Sequence, residues 1–351
     1  MPNVIKIAPR LLNWYDKNGR KLAWRVSPAE SLNGIKADPY HIWLSEIMLQ
    51  QTTVRAVEPY FKSFLLKWPT VKDLAAAKDE EILEAWAGLG YYRRAHNLIK
   101  CARMVINVYD GLFPQEEKLL LQLPGIGSYT SAAIRSIGFN KKSTVIDGNI
   151  SRIISRLFAI NTPISKSQKT IKIRANNLVP STRFSDYAQA LMDLGSLICT
   201  PRKPNCVKCP IKEVCKSYIK GIETLIPHSA KKKVKPIKYG YVFVTINKNN
   251  NFILERRPEK GLLGGMLCFP SSEWKNSKDV EFNPPFSANW ETLNEPVIHI
   301  FSHFTLSLTI ALSSISFAPK GYLNRPLENF NRESLPSLMR KVFDVAKTHF
   351  Q

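Results

Sequence analysis

Acidic side chains are scarce in this sequence: 28 Asp and Glu stand against 50 Lys and Arg in 351 residues, for a formal net charge of +22. That imbalance points to a polyanionic partner, nucleic acid ahead of membrane. No apolar run approaches the ~20 residues that cross a bilayer, so no membrane role is expected. The opening MPNVIKIAPRLLNWYDKNGRK lacks the unbroken apolar stretch of a signal peptide, and its Leu11, Leu12 and Tyr15 read as one face of an amphipathic helix. A reducing, cytoplasmic setting is therefore the expectation, which leaves six cysteines needing an explanation other than disulfides. Strand signals are almost missing before residue 215, and no internal repeat is visible.

What is there instead, over residues 1–216, is apolar spacing at a 3.6-residue period with breaks at FPQEE and LPGIG. This predicts an all-helical domain. The lysine run and proline of HSAKKKVKPIKYG mark an exposed linker at 217–237. Beyond it, YVFVTI and FILERR flank NKNNN as a hairpin, VIHIFSHFTLSLTIALSSI supplies more strand, and SLMRKVFDVAKTHF closes with a helix. A mixed α/β domain over 238–351 follows.

Four local features carry chemistry. In WLSEIMLQQT a single glutamate, Glu46, sits in an apolar run, with Gln50 and Thr53 continuing a narrow polar line; a carboxylate there is either paired or working. EEKLLLQLPGIGSYTSAAIRSIGF reads as helix, tight turn, helix, with Gly125 and Gly127 shaping a turn whose second helix offers free N–H groups to a phosphate. VIDGNISRII puts Asp147 and Asn149 before another helix; taken singly, Asp147 is an N-cap. Finally, Cys199, Cys206, Cys209 and Cys215 have the spacing CX6CX2CX5C, which suits zinc or an iron–sulfur cluster, with Arg202, Lys203, Lys208 and Lys212 between them as phosphate readers.

In this order, WLSEIMLQQT, GLGYYRRA, LPGIGSYT, VIDGN, MDLG, the cysteine loop and the later FSHF resemble the MutY family of adenine DNA glycosylases, within the helix-hairpin-helix glycosylase superfamily. The resemblance covers nearly the whole chain. It implies a mainly α helix-hairpin-helix glycosylase domain with an iron–sulfur loop at 199–215, plus an α/β Nudix-like domain. It also implies a [4Fe–4S] cluster on the four cysteines, and a monomer acting on double-stranded DNA with adenine opposite 8-oxoguanine or guanine. Glu46 matches the family's general acid and base, and Asp147 the second carboxylate, which stabilises an oxocarbenium-like sugar. Tyr129 and Asn149 match residues lining the site around that sugar. Tyr129 stands where bifunctional relatives carry a lysine, so base removal without an intrinsic lyase is implied.

Trp24 and Arg25 match the family's adenine-pocket pair, although Trp24 alone equally suits a core, and Gln189 falls where the family hydrogen-bonds the flipped adenine. Gln50 and Tyr91 match residues that enter the duplex around 8-oxoguanine. Phe301, Ser302 and His303 match its 8-oxoguanine-contacting loop. No acidic REXXEE run follows GLLGGMLCFP, so the second domain is expected to recognise rather than hydrolyse. The longer RVSPAESLNGIKADPY departs from the family and is expected to add a loop beside the pocket. The rival readings are a thymine or oxidised-pyrimidine glycosylase of the same superfamily, and a non-catalytic module that binds oxidised DNA.

Overall fold

The computed structural model describes residues 6–228, 234–258 and 261–350. The chain divides into two compact units, one of Met1–Ile82 and Arg94–Lys231, the other of Leu83–Arg93 and Lys232–Gln351.

Among its described residues the first unit is helical throughout, as the apolar period predicts. Leu11, Leu12 and Tyr15 of the Ile7–Asn18 helix are buried against Ile153, Ile154, Leu157, Tyr187 and Leu191, so the expected amphipathic face is the one that packs. The helix holding Glu46 spans Pro39–Leu49 and begins where Oδ1 of Asp38 accepts the Tyr40 N–H at 2.7 Å, with Pro39 in the first turn. Every residue from Ile42 to Met48 is buried, the setting its all-round apolar sequence predicts. Its C-terminal carbonyls are not left bare: Nη1 of buried Arg94 donates to Ile47 O at 2.9 Å and Met48 O at 2.8 Å, placing a cation on the negative helix end.

The polar line expected to run from Glu46 to Thr53 stops short. The helix ends at Leu49, Gln51 turns left-handed (φ 59°), and Thr53 caps the next helix by accepting from Ala56 N at 3.3 Å. A β-region threonine ahead of a new helix satisfies an orphan N–H, which a continued stripe would not.

The hairpin runs Glu117–Leu120, turn, Ser128–Ala133, and continues through a π-helical turn at Ile134–Gly138. Gly125 lies at φ +79°, and a Cβ on it would come within 2.9 Å of the Asn97 Cβ. The linker is shorter than the lysine run implies. Lys216–Ile219 is a helical turn, Ile226 is buried in the first unit, and its carbonyl accepts Nε of Arg156 at 2.8 Å. One apolar side chain and one buried guanidinium thus hold residues 217–228 on the first unit. The lysines at 231–233 lie outside the described residues.

In the second unit the strands are β1 (Ile237–Asn247), β2 (Asn251–Arg256), β3 (Leu267–Cys268), β4 (Glu291–Thr292), β5 (Val297–Ile300), β6 (Thr305–Ile315) and β7 (Leu323–Pro326). They form one sheet in the order β3-β2-β1-β6-β4, with β5 also on β6 and β7 on β2. β1 and β6 are parallel, Val242 opposite Ile310, and the other pairs are antiparallel. Alternation sends Val242, Val244, Leu308 and Ile310 to a core shared with Leu338, Met339 and Val342 of the closing Ser337–Lys347 helix. On the opposite face, Phe243 packs edge-on against Phe282 and Trp290, whose rings lie 5.8 and 5.2 Å away, from an irregular segment between β3 and β4.

Candidate active site

A cavity of about 760 Å³ opens in the first unit. Its wall gathers ten residues singled out from sequence: Trp24, Arg25, Glu46, Gln50, Gly125, Gly127, Tyr129, Asp147, Asn149 and Gln189. They arrive from distant parts of the chain: the loop after the first helix, the Pro39–Leu49 helix, the hairpin turn, the start of Gly148–Phe158 and the middle of Phe184–Asp193.

Burial raises the Glu46 carboxyl to about 7, against a pull-back from the Tyr129 hydroxyl and the Arg25 guanidinium; the Asp147 carboxylate adds to the rise. Glu46 is thus poised to hold or release a proton near neutrality. Burial, reinforced by Glu46, holds the Tyr129 phenol well above its ordinary range, so it stays a neutral donor. Trp24 is both a cavity residue and a packing residue. It lines the cavity, and its buried ring meets Phe61 edge-on at 5.4 Å. Gln189 is buried; its Nε2 donates to Ser185 Oγ at 3.1 Å and Ser185 O at 3.3 Å, leaving Oε1 without a hydrogen-bond partner.

Asp147 is both an N-cap and a cavity residue. Its Oδ1 accepts the Ile150 N–H at 2.6 Å, while Oδ2 accepts Nδ2 of Asn149 at 2.9 Å. Asn149 is held in turn by Nη2 of Arg152, which donates to its Oδ1 at 2.9 Å and to Gly195 O at 2.7 Å. A Cβ on Gly195 would lie only 2.6 Å from the Asn149 Cβ, so the two segments touch backbone to side chain. Nε of Arg152 reaches on to Cys199 O at 2.7 Å, joining this shell to the cysteine loop.

Cys199, Cys206, Cys209 and Cys215 line one cavity, walled by Ile153, Leu157, Leu194 and Ile211. Burial pushes the Cys206 and Cys209 thiols up to about 11 and 12, and raises Cys215. Arg156 ties the loop down through Thr200 O (2.7 Å), Pro201 O (2.9 Å) and Cys199 Sγ (3.3 Å). Among the described residues no three His, Cys, Asp or Glu side chains gather tightly enough for a single metal ion.

Residues 44–180 match the HhH-GPD superfamily of base excision DNA repair proteins, and residues 241–345 match the NUDIX domain. The adenine DNA glycosylase of Buchnera aphidicola subsp. Acyrthosiphon pisum (strain APS) is 33% identical over 96% of both chains. That of Homo sapiens is 31% identical over 95% of this chain and 73% of its own. The chain belongs to the adenine DNA glycosylase family. Among solved structures, a thermostable thymine-DNA glycosylase has 32% identity and a TM-score of 0.55, covering 62% of this chain and 97% of its own. A non-covalent endonuclease III–DNA complex, at 21% identity and TM-score 0.51, shares the fold.

Tyr91, Phe301, Ser302 and His303 are not among the residues lining this cavity. Tyr91 sits in the second unit, 57% exposed and left-handed (φ 50°), beside Gly88 and Gly90, which also have positive φ. The FSHF stretch makes the β5–β6 turn, closed by Phe301 N to Phe304 O at 2.8 Å; Ser302 and His303 are exposed at its tip. Phe301 instead anchors the turn, stacked on Trp274 at 6.0 Å. The longer loop after Arg25 does not line the cavity: it forms a capped turn at Pro28–Leu32 and reaches Oδ2 of Asp186 through Ser31 Oγ at 3.4 Å. Sequence reasoning passed over Arg20, which lines the cavity, and Asp193, which grips both Arg20 and Arg25. The arginines either side of KLAW are a signal that could have marked Arg20; no local signal marks Asp193.

Proposed function

We propose that this protein is a monofunctional adenine DNA glycosylase of base excision repair, hydrolysing the N-glycosidic bond of adenine opposite 8-oxoguanine, or opposite guanine, in duplex DNA. The observation that carries this reading is the pairing of Glu46, held near 7 by burial, with Asp147 in one cavity large enough for an extruded base. Protonated Glu46 gives its proton to adenine N7, so the base departs neutral. The Asp147 carboxylate, fixed by Asn149 and the Ile150 N–H, faces the positive charge that grows on the sugar. Water then bonds to C1′ and passes its proton to the Glu46 carboxylate, which restores the acid. The unpaired Oε1 of Gln189 suits the N6 amino group of adenine; the O4 of thymine would meet it as a second acceptor. A phenol at position 129 has no amine to form a Schiff base, which supports base release without strand cleavage.

For the opposing base, the exposed Ser302 and His303 on the β5–β6 turn support contact with 8-oxoguanine. The four cysteines suit a [4Fe–4S] cluster: they ring one cavity, and the burial that keeps free thiols neutral also favours bonding of their thiolates to a cationic centre. When bound, the cluster supplies a covalent pin that holds Arg202, Lys203 and Lys208 as one basic surface. The protein is read as a monomer, and a cytoplasmic setting suits unpaired thiols.

A panel of duplexes carrying A, T or oxidised pyrimidine opposite G or 8-oxoguanine tests the reading. Fastest release of adenine, above all opposite 8-oxoguanine, is expected. Preferential pyrimidine release would instead favour the thymine-glycosylase reading that the likeness of the helical unit raises. A non-catalytic module would release no base at all.

A further inference from the structure

Asp193 ends the helix that carries Gln189, and its carboxylate is fully buried. The proton-transfer scheme above does not use it. Oδ1 accepts Nε of Arg20 at 2.6 Å and Nη1 of Arg25 at 2.9 Å, while Oδ2 accepts the Arg20 backbone N–H at 2.8 Å and the same Arg25 Nη1 at 2.9 Å. Four hydrogen bonds saturate the carboxylate, so it offers nothing to a substrate directly. The Arg25 side chain is almost as buried, at 6% exposure, and a guanidinium placed there without an anion is costly.

We infer that Asp193 is a positioning residue for base release: it clamps Arg25 into the cavity wall and cancels part of the charge that Arg25 presents to Glu46, preserving Glu46 as the acid. Two guanidiniums and one carboxylate leave a net single positive charge on that side of the cavity. Arg25 and the Tyr129 hydroxyl favour ionised Glu46, whereas burial and Asp147 oppose it. Tyr15 and Asp186 also face the Arg20–Arg25–Asp193 group, but burial pushes Tyr15 up to about 12, so it stays neutral through the working range. Asp193 therefore weights the balance at Glu46 without touching it. The inference rests on Glu46 being the acid.

The test is the pH profile of single-turnover adenine release for the full chain with its cofactor, with circular dichroism and duplex binding as checks on folding. In the wild-type protein, release falls on the alkaline side as Glu46 loses its proton, with a midpoint near 7. Asp193→Asn keeps the shape and removes the anion, so the midpoint should move to lower pH by about half a unit to one unit. The rate deficit should then be roughly two- to fivefold deeper at pH 8 than at pH 6. Arg20→Gln removes a cation from the same carboxylate and should move the midpoint to higher pH.

Shifts of opposite sign are the expected result, and loss of packing alone does not produce them. Unmoved midpoints, or shifts in one direction for both variants, overturn the inference. Should Asp193→Asn fail to fold, Arg20→Gln decides alone: an unshifted or acid-shifted midpoint overturns it. A Glu46→Gln protein that still releases adenine removes the acid assignment and this inference together, whereas an inactive Glu46→Gln protein with unmoved midpoints removes this inference only.

Discussion

Nδ2 of Asn149 donates to Oδ2 of Asp147 at 2.9 Å, which leaves the other carboxylate oxygen to cap the helix through Ile150 N. One side chain two residues along therefore decides how the aspartate presents itself to the cavity. Asn149→Ala should leave the cap in place and free Oδ2, lowering single-turnover adenine release by about tenfold to a hundredfold. Duplex affinity measured in parallel should change little; an equal loss of binding would mean that Asn149 holds DNA rather than Asp147.

Glu46 implies a stability cost with a definite pH window. Its folded value of about 7 lies above the ordinary 4.5, so the stability it contributes is fully present below about 4.5 and is lost as pH rises through 7. Glu46→Gln removes the ionisation, and the variant should be more stable than the wild-type protein at pH 8, by on the order of 2–3 kcal/mol, with the gap closing toward pH 4.5. Thermal melts across that range would measure it. The same variant should lose adenine release by about a hundredfold or more while still binding duplex.

Tyr129 is the position where chemistry can be redirected. The wild-type protein should give no borohydride-trapped adduct formed at the rate of base release. Tyr129→Lys places an amine where burial disfavours its charged form, and should yield a trapped protein–DNA product on gel electrophoresis. Absence of the adduct from a folded, DNA-binding variant would mean that the cavity does not bring C1′ to this position.

Arg156 holds the cysteine loop by donating to the carbonyls of Thr200, Pro201 and Ile226. Arg156→Met keeps the stem but leaves the buried Ile226 carbonyl without that donor, at about 1–3 kcal/mol before relaxation, and frees the loop carbonyls of Thr200 and Pro201. The visible absorbance expected of the iron–sulfur cluster should bleach at lower temperature in this variant, and duplex affinity should fall with it as the basic loop loosens. Unchanged bleaching would show that the cluster alone fixes the loop.

Much of this was legible in the residues because the signals were local. Glu46 stood out as one charge in an apolar run, and the face of the first helix followed from Leu11, Leu12 and Tyr15. Asp147 was ambiguous between cap and catalyst since one carboxylate has two oxygens, and the fold uses both. Asp193 was not legible: its partners Arg20 and Arg25 lie 173 and 168 residues away, and nothing in MDLG marks that aspartate as paired. β3 and β4 escaped because two residues are too few for alternation to show, and β7 because Leu323–Pro326 carries one apolar residue followed by Asn, Arg and Pro. Residues 217–228 read as linker by their flanking lysines, whereas buried Ile226 and the hydrogen bond of its carbonyl with Arg156 hold them on the helical unit.

Gly195 gives the fold its narrowest tolerance. Exchanging glycine for alanine in a helix ordinarily strengthens a protein, but here the added methyl would enter the space of the Asn149 side chain. Displacing Asn149 would disturb Asp147 on one side and Arg152, with its hold on Cys199, on the other. The cysteine loop and Asp147 must therefore be inherited as a single unit, with a hydrogen atom as the only side chain the joint between them accepts.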